Sequence, residues 1–510
     1  MWKIPGVRGE KRRLLSRNAA KRRRRAGRSL LVESLERREL LASDFLYIGD
    51  SATDSVHKFD ADTGAYVSSF VTVGSAGLHG PRGLVLNAEN LLVVNQNIGL
   101  PKNGEVLRYN GQTGAPTTAL VPSTNANAPY SPAGIVVRNN VAYVADTRDD
   151  GVSTSGRIAK YNATTGTFLG ELIPDGFAAE FRPRGLAFGP SGELYVTVFS
   201  EALFNTDDPA GYVLRFDVST GAFQVVAANN GNGTFEGDEV ANLHNPEGLV
   251  FSPDGSRLYV TSSRANANDT DKILGMDPIL GSRAAIDTIL LDEVGKPRAF
   301  AQSILFGPDV KLFVPITGDG PASGSVRRYD LSPGHLGQFD VFIPAAASGG
   351  TLHQPYYATF GRTNAATLGY EYAPILSGSE SPLVIGGPLT DGGIHYIGSD
   401  IQVADLNGTV SGATVQITTN YRSDQDLLTA GFTNGGTIAA NWDAATGTLT
   451  LQGRDTVDNY RQALGSITYS NSGATRDLAK RTVSFVVNDS FTDSNTLTRD
   501  IALVKEDLNA

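Results

Sequence analysis

Pro183-Arg184-Gly185-Leu186-Ala187-Phe188-Gly189-Pro190-Ser191-Gly192-Glu193-Leu194-Tyr195-Val196 is the stretch whose reading decides the fold. It holds a Pro-x-Gly-Leu turn, a short apolar strand, a Gly-Pro-Ser-Gly turn and a Tyr-Val strand. Proline presets φ for a turn and glycine tolerates positive φ, so the pattern spells a hairpin. The same phrase stands at Pro81-Arg82-Gly83-Leu84, Pro132-Ala133-Gly134-Ile135 and Pro246-Glu247-Gly248-Leu249. Two worn copies follow at Gln302-Ser303-Ile304-Leu305 and Gln354-Pro355-Tyr356-Tyr357, so the phrase occurs six times at intervals of about 50 to 60 residues.

A second strand follows each of the first five copies: Leu91-Val94, Val141-Ala145, Leu194-Val198, Leu258-Thr261 and Leu312-Pro315. A third closes the unit with Arg or Lys, then Tyr or Phe, then Asp or Asn, at Val106-Asn110, Ile158-Asn162, Val213-Asp217 and Val326-Asp330. A glycine comes four residues later, at Gly114, Gly166, Gly221 and Gly334. Apolar and polar residues alternate in these runs, as half-buried strands require. The sixth copy has a first strand only, whereas Leu46–Asp50 and Lys58-Phe59-Asp60 at the chain's start are second and third strands without a first. Residues 45 to about 73 therefore supply the outer strands of the sixth unit, which closes a ring and removes its open edge. The fold class is all-β, a six-bladed β-propeller over residues 44–370 followed by an antiparallel β-sandwich over 374–506.

The repeated units resemble the NHL-type six-bladed propellers, and more loosely the gluconolactonase/regucalcin and streptogramin-lyase propellers. The resemblance implies a scaffold rather than an activity, because one fold hosts many activities. Gluconolactonase-type enzymes hold a channel metal with Glu, Asn and Asp of the inner strands. Here those strands read Leu84-Val85-Leu86, Ile135-Val136-Val137, Leu186-Ala187-Phe188 and Leu249-Val250-Phe251, and Glu247 alone is an acid beside the channel. Streptogramin lyase places a histidine base near the turn, and no histidine follows proline in these turns.

Composition narrows the partners. The chain of 510 residues carries a net charge of −10, but the first 43 residues hold 14 Lys or Arg against 4 Glu. That head is +10 and the body −20, and an acidic body argues against nucleic acid as the main partner. There is no cysteine, which excludes disulfides, thiolate metal sites and cysteine nucleophiles. No apolar run approaches the length of a membrane span. The head carries Lys11-Arg12-Arg13 and Lys21-Arg22-Arg23-Arg24-Arg25, and its stretch Leu31–Ser43 resembles the L-E-P-R-x-L-L motif of large exported bacterial proteins, with Arg37 where that motif has proline. The resemblance implies sorting or export, with processing near Ala42-Ser43. Residues 1–43 are therefore expected to be disordered, and the location extracellular or at the cell surface.

Beyond Tyr372 the chain becomes rich in Thr, Gly, Asp and Ser. Strands are expected at Ile401-Val403, Thr414-Thr418, Gly436-Asn441, Thr448-Gln452, Ser466-Tyr469, Thr482-Val487 and Leu497-Leu503, with a helix over Asp455–Leu464 that Asp455 caps. Val403-Ala404-Asp405-Leu406-Asn407, Ser423–Leu428, Tyr460–Leu464, Ile467–Asn471 and Val486–Asp489 resemble the cadherin-like repeats of bacterial surface proteins. In that family acidic loop residues hold Ca²⁺, a cation that takes six to eight oxygens. Asp405, Asn407, Asp424, Asp426, Asn488 and Asp489 are the matching positions; turn-forming Asx residues with no ion are the other reading.

Two sets of propeller residues are candidates for function. His79, His244 and His353 occupy equivalent places ahead of the Pro turns. Three imidazoles converging on a ring axis would suit Zn²⁺ with an open position, and the amidating-lyase propeller, a related fold, holds a channel metal with histidine. Polar capping of a repeated turn explains the same pattern without a metal. The second set is an acidic loop rim that includes Asp50, Asn95, Asp146, Glu247 and Asp319, suited to a polyhydroxylated ligand. Two functions remain open: a non-enzymatic module that binds an extracellular carbohydrate or protein ligand, with the sandwich as an adhesive spacer, and a metal-dependent lyase or lactonase built on the histidines. Calcium or zinc are the cofactors these sets would take.

Overall fold

The computed structural model describes residues 44–148, 155–200, 210–229, 240, 242–279, 287–379, 381–385, 395–472 and 478–504. The basic head, with its export-motif resemblance, and rim residues such as Asp149, Asp150 and Glu201 lie outside the described residues.

Six antiparallel sheets of the propeller follow one another along the chain. In each, the innermost strand is built from the repeated phrase and the apolar run that follows it: Pro81–Asn87, Pro132–Arg138, Arg182–Phe188, Asn245–Phe251, Leu305–Phe306 and Pro355–Phe360. The sixth blade pairs Pro355–Phe360 with Phe45–Asp50, which continues to Ser55–Asp60 and Tyr66–Val71. Strand Pro355–Phe360 packs on Pro81–Asn87 at one side and on Leu312–Ile316 at the other, so the ring is closed.

Three features differ from the sequence reading. Five blades carry a fourth, outer strand that the repeat does not show: Tyr66–Val71, Phe168–Leu172, Phe223–Asn229, Asp287–Leu290 and Phe339–Ile343. In these strands exposed and buried residues do not alternate cleanly, and their weak patterning follows from that. The first blade has three strands, extended by isolated bridges Val106–Val121 and Tyr109–Pro116. Most consequential, Pro-x-Gly-Leu is not a turn. It lies inside the inner strand, and the register slips between Pro and Leu in four blades, at Pro81/Leu84, Pro132/Ile135, Pro183/Leu186 and Pro246/Leu249.

That bulge explains the repeated glycine. A Cβ on Gly83 would stand 2.7 Å from the Ala133 carbonyl oxygen, on Gly134 2.5 Å from that of Arg184, and on Gly185 2.3 Å from that of Glu247. Each glycine is the point where one inner strand touches the next, and a side chain there would wedge the blades apart. The blades also lock through aromatic edges. Tyr143 meets Phe188 at 5.2 Å, Tyr195 meets Phe251 at 5.0 Å and Phe313 meets Phe360 at 5.1 Å between ring centroids. The Asp/Asn that ends each third strand folds the following turn: Asn110 Oδ1 accepts from the amides of Gln112 and Thr113 and from the Thr113 hydroxyl.

Residues 361–372 cross beneath the ring at the end where the inner strands finish. Val137 N–H donates to Ala365 O and Phe188 N–H to Ala366 O, while Leu368 fills the bottom of the channel. The channel above it encloses about 30 Å³ and is lined by the bulge glycines, Ser303 and Tyr357.

The C-terminal region is a sandwich of a six-stranded sheet facing a three-stranded one, with a separate two-stranded sheet Ile375–Ser377/Gln402–Ala404. It is antiparallel except for Leu383–Ile385, which runs parallel to Ile501–Leu503. The helix runs Val457–Gly465 and its cap is Thr456, whose hydroxyl accepts from the Asn459 amide. Asp455 is instead the next-to-last residue of the strand Thr448–Thr456 and accepts from the side chains of Asn434, Thr437 and Asn459.

Candidate functional site: the mouth of the propeller

The rim residues that the sequence offers as ligand contacts turn inward. Asp50, Asn95 and Asp146 are each fully buried at the end of a second strand. Asp50 accepts from the backbone amides of His353 and Gln354, Asn95 Oδ1 from that of His79, and Asp146 from those of Tyr130 and Ser131. Ser262 does the same for His244. The role is one repeated device: a polar side chain at the end of the second strand ties down the loop that leads into the first. Burial explains why these residues face no solvent. Asp319 stays exposed, with one oxygen accepting from the Arg298 amide.

The histidines are likewise engaged separately. His79 Nδ1 lies 2.7 Å from Asp54 and its Nε2 3.0 Å from Ile98 O. His244 is buried between Asn229 and Asp269, and His353 Nδ1 lies 3.2 Å from Thr351 O. Among the described residues, no three His, Asp or Glu side chains assemble as a metal-holding group.

Glu247 is the member of the rim set that stands at the channel. It follows a bulge proline, and the equivalent positions of the other blades are Arg82, Ala133, Arg184, Gln302 and Tyr356. These six side chains crown the channel where the inner strands begin. Arg184 grips Glu247 with two bonds, Nε to Oε2 at 2.9 Å and a terminal nitrogen to Oε1 at 2.7 Å. Burial works against the Arg184 charge, and Glu247 more than offsets it. Arg82 has no such partner. Its guanidinium lies 3.9 Å above the Tyr356 ring, is 91% buried, and among the described residues bonds only to Pro81 O at 3.5 Å. Burial pulls its pKa below the ordinary arginine value.

Tyr357 stands where other blades have the bulge glycine, so its ring fills the top of the channel. Among the described residues its buried hydroxyl has no partner, and it sits in the fields of Glu247, Arg184 and Arg82. Gln302 Oε1 is also buried without a partner among the described residues. A buried polar atom with no partner costs about 1 to 3 kcal/mol. The mouth thus gathers an unpaired guanidinium, an unpaired hydroxyl and an unpaired amide oxygen around one ion pair. Sequence reasoning found Glu247 and missed the other five. The signal was available in the column x of Pro-x-Gly, the one polar column in an otherwise apolar phrase.

The calcium-type set divides. Asp426 is buried and satisfied by Tyr469 at 2.6 Å, Asn471 at 2.7 Å and Arg481 at 3.3 Å. Asp424 is exposed, and Asn488 bonds to Asp493. Asp405, Asn407 and Asp489 instead meet Glu371, from the segment that leaves the propeller. Glu371 accepts from Asn364 at 2.6 Å and from Asn407. Burial, aided by Asp489 and Asp405, pushes Glu371 up to about 7, and burial with Asp489 pushes Asp405 up to about 6. One oxygen each of Asp405 and Asp489 is buried with no partner among the described residues.

No family model matches this chain, and no curated protein matches it. Solved structures do. The periplasmic gluconolactonase PpgL of Pseudomonas aeruginosa is similar at 14% identity over 62% of this chain and 98% of its own, with a TM-score of 0.40. A putative 6-phosphogluconolactonase of Bacteroides fragilis is similar at 14% identity over 63% and 99%, with a TM-score of 0.39. A hypothetical selenium-binding protein of Sulfolobus tokodaii is similar at 12% identity over 64% and 80%, with a TM-score of 0.42.

Proposed function

We propose that this protein is an exported binding protein whose propeller mouth recognises an extracellular carbohydrate or protein ligand. On this reading the sandwich serves as a spacer at a cell surface or matrix. One observation carries the reading: among the described residues Arg82 is buried on Tyr356 without an ion pair, and the Tyr357 hydroxyl and Gln302 oxygen of the same crown have no partner. Such an arrangement is a standing cost that a ligand's polar groups would offset. The opposite end of the channel is filled by Leu368, which leaves the mouth as the approach. The imidazoles, each engaged with its own separate partners at Asp54, Asn229 and Thr351, add nothing to a catalytic set there. Export is supported by the basic head and the absence of cysteine.

The test is a binding screen of the full chain against immobilised glycans and extracellular matrix proteins, run beside Arg82→Gln and Arg184→Gln variants. Retention of ligands that both variants lose is the expected result. Ligands held equally by all three proteins would place recognition elsewhere. Turnover of a lactone by the wild type, lost in a His79→Ala/His244→Ala/His353→Ala variant, would replace the binding reading with the enzymatic one.

A further inference from the structure

Resting on the mouth as the binding site, we propose that its ligand is a sugar acid: one carboxylate on a neutral polyol, with the Arg82 guanidinium as the fork that receives it. The Arg184 fork is already filled by Glu247 in bidentate geometry. The Arg82 fork is held flat on Tyr356 and bonds to no carboxylate. A planar guanidinium matches a carboxylate with two parallel N–H···O bonds, and being pre-stacked it loses little freedom on binding. Tyr357 lies in its field, and Gln302 holds the equivalent crown position one blade beyond Tyr356; the Tyr357 hydroxyl and the Gln302 oxygen supply one donor and one acceptor without partners among the described residues. That combination suits the hydroxyls of a sugar.

Charge limits the ligand to one such group. The body of the chain carries −20, a field that repels nucleic acids, sulfated polymers and multiply phosphorylated peptides. A single carboxylate meets the local guanidinium while paying little of that repulsion. Shape argues against a peptide anchor. The channel beneath Tyr357 encloses about 30 Å³, room for about two waters, so no large side chain inserts. The ligand lies across the crown, over Tyr356 and beside Phe199, whose ring is 5.1 Å from the Arg184 guanidinium. Flat aromatic rings beside hydrogen-bonding groups form a platform for a pyranose.

The experiment is calorimetric titration of the full chain with monomeric galacturonate, neutral galactose, inorganic phosphate and an acidic peptide. The inference expects galacturonate bound at least tenfold more tightly than any other probe. Arg82→Gln is expected to weaken it tenfold or more without moving the melting temperature. Arg82→Lys keeps the charge without the fork and is expected to weaken it severalfold, which gives a second reading should Arg82→Gln fold poorly. Phosphate matching galacturonate would reduce the mouth to a general anion hole and overturn the inference, as would preference for the peptide or failure of all four probes. Neutral galactose bound as tightly, and lost in Arg184→Gln but not in Arg82→Gln, would overturn the sugar acid while sparing the mouth as the site. Binding unchanged by every mouth variant would sink the underlying reading instead.

Discussion

The two ends of the propeller channel are electrostatic opposites. At the mouth a buried guanidinium lacks a carboxylate, since Arg184 has taken the one nearby acid, Glu247. At the floor, where the chain passes into the sandwich, Glu371, Asp405 and Asp489 lie in one another's fields, and among the described residues no Lys or Arg pairs with them. The difference lies in what surrounds each group. The mouth charge rests on an aromatic face, which stabilises it without neutralising it. The floor charges rest on amides, Asn364 and Asn407, which satisfy lone pairs and leave the repulsion in place. One end is built to stay charged and the other to take up a proton or a cation.

Backbone geometry sets the largest expected contrast. Gly185→Ala at the mouth puts a Cβ 2.3 Å from the Glu247 carbonyl oxygen, a contact that only movement of two blades relieves. A loss of about 3 kcal/mol or more in denaturant unfolding is expected. Gly369→Ala at the floor meets only the Thr367 hydroxyl, at 3.3 Å, a rotatable group, so a change of about 1 kcal/mol or less is expected. Equal effects would mean that the inner strands do not bear on one another as described.

Protons give the next contrast. Because burial raises Glu371 to about 7 from the usual 4.5, the folded chain holds this proton more tightly than the unfolded chain. Its contribution is favourable below about pH 4.5 and is lost as pH rises toward 7. Glu371→Gln keeps the side-chain shape without the charge. The variant should match the wild type at pH 4 and exceed it at pH 8 by up to about 3 kcal/mol, the equivalent of the full shift. Melting curves at the two pH values decide this. A variant less stable than the wild type at pH 8 would show that the carboxylate is needed as an anion.

The ring was legible in the sequence because it repeats. Proline, glycine and the Tyr-Val pair each occupy a position with one steric solution, and the orphan strands at Leu46 and Lys58 showed how it closes. What the repeat could not show was direction. Asp50, Asn95 and Asp146 look like loop acids in sequence, yet each sits on the last residue of a buried strand, where its oxygen faces backbone amides. Arg82 and Arg184 were read as parts of a turn because the bulge that lifts them onto the crown leaves no mark in composition. Glu371 fell in the seam between two domains, and its neighbours Asp405 and Asp489 come from distant sandwich loops. Its meaning is wholly tertiary.

Calcium probes the floor more gently. Asp405 and Asp489 each hold one buried oxygen with no protein partner, and Asn407 is adjacent. The carboxylates do not stand assembled around a point, so a cation would have to draw them together, and the gain should be modest. At pH 8, millimolar calcium is expected to raise the melting temperature by a few degrees, an effect of about 1 kcal/mol. Asp489→Asn should remove that gain and itself stabilise the metal-free protein. No shift with calcium, or the same shift in the variant, would leave the floor as a proton site only.

The smallest expected effect closes the comparison at the mouth. Arg82→Gln removes a buried charge that has no ion pair, which favours the variant, and a cation–π contact worth about 1 to 2 kcal/mol, which favours the wild type. The two oppose, so stability should stay within about 1 kcal/mol of wild type and should not depend on pH between 5 and 8, where arginine keeps its charge. Glu371→Gln is stabilising with a pH slope, whereas Arg82→Gln is neutral and flat. Were Arg82→Gln to cost several kcal/mol, the guanidinium would be a structural member of the crown. A charge retained for binding should be missed by its ligand far more than by the fold.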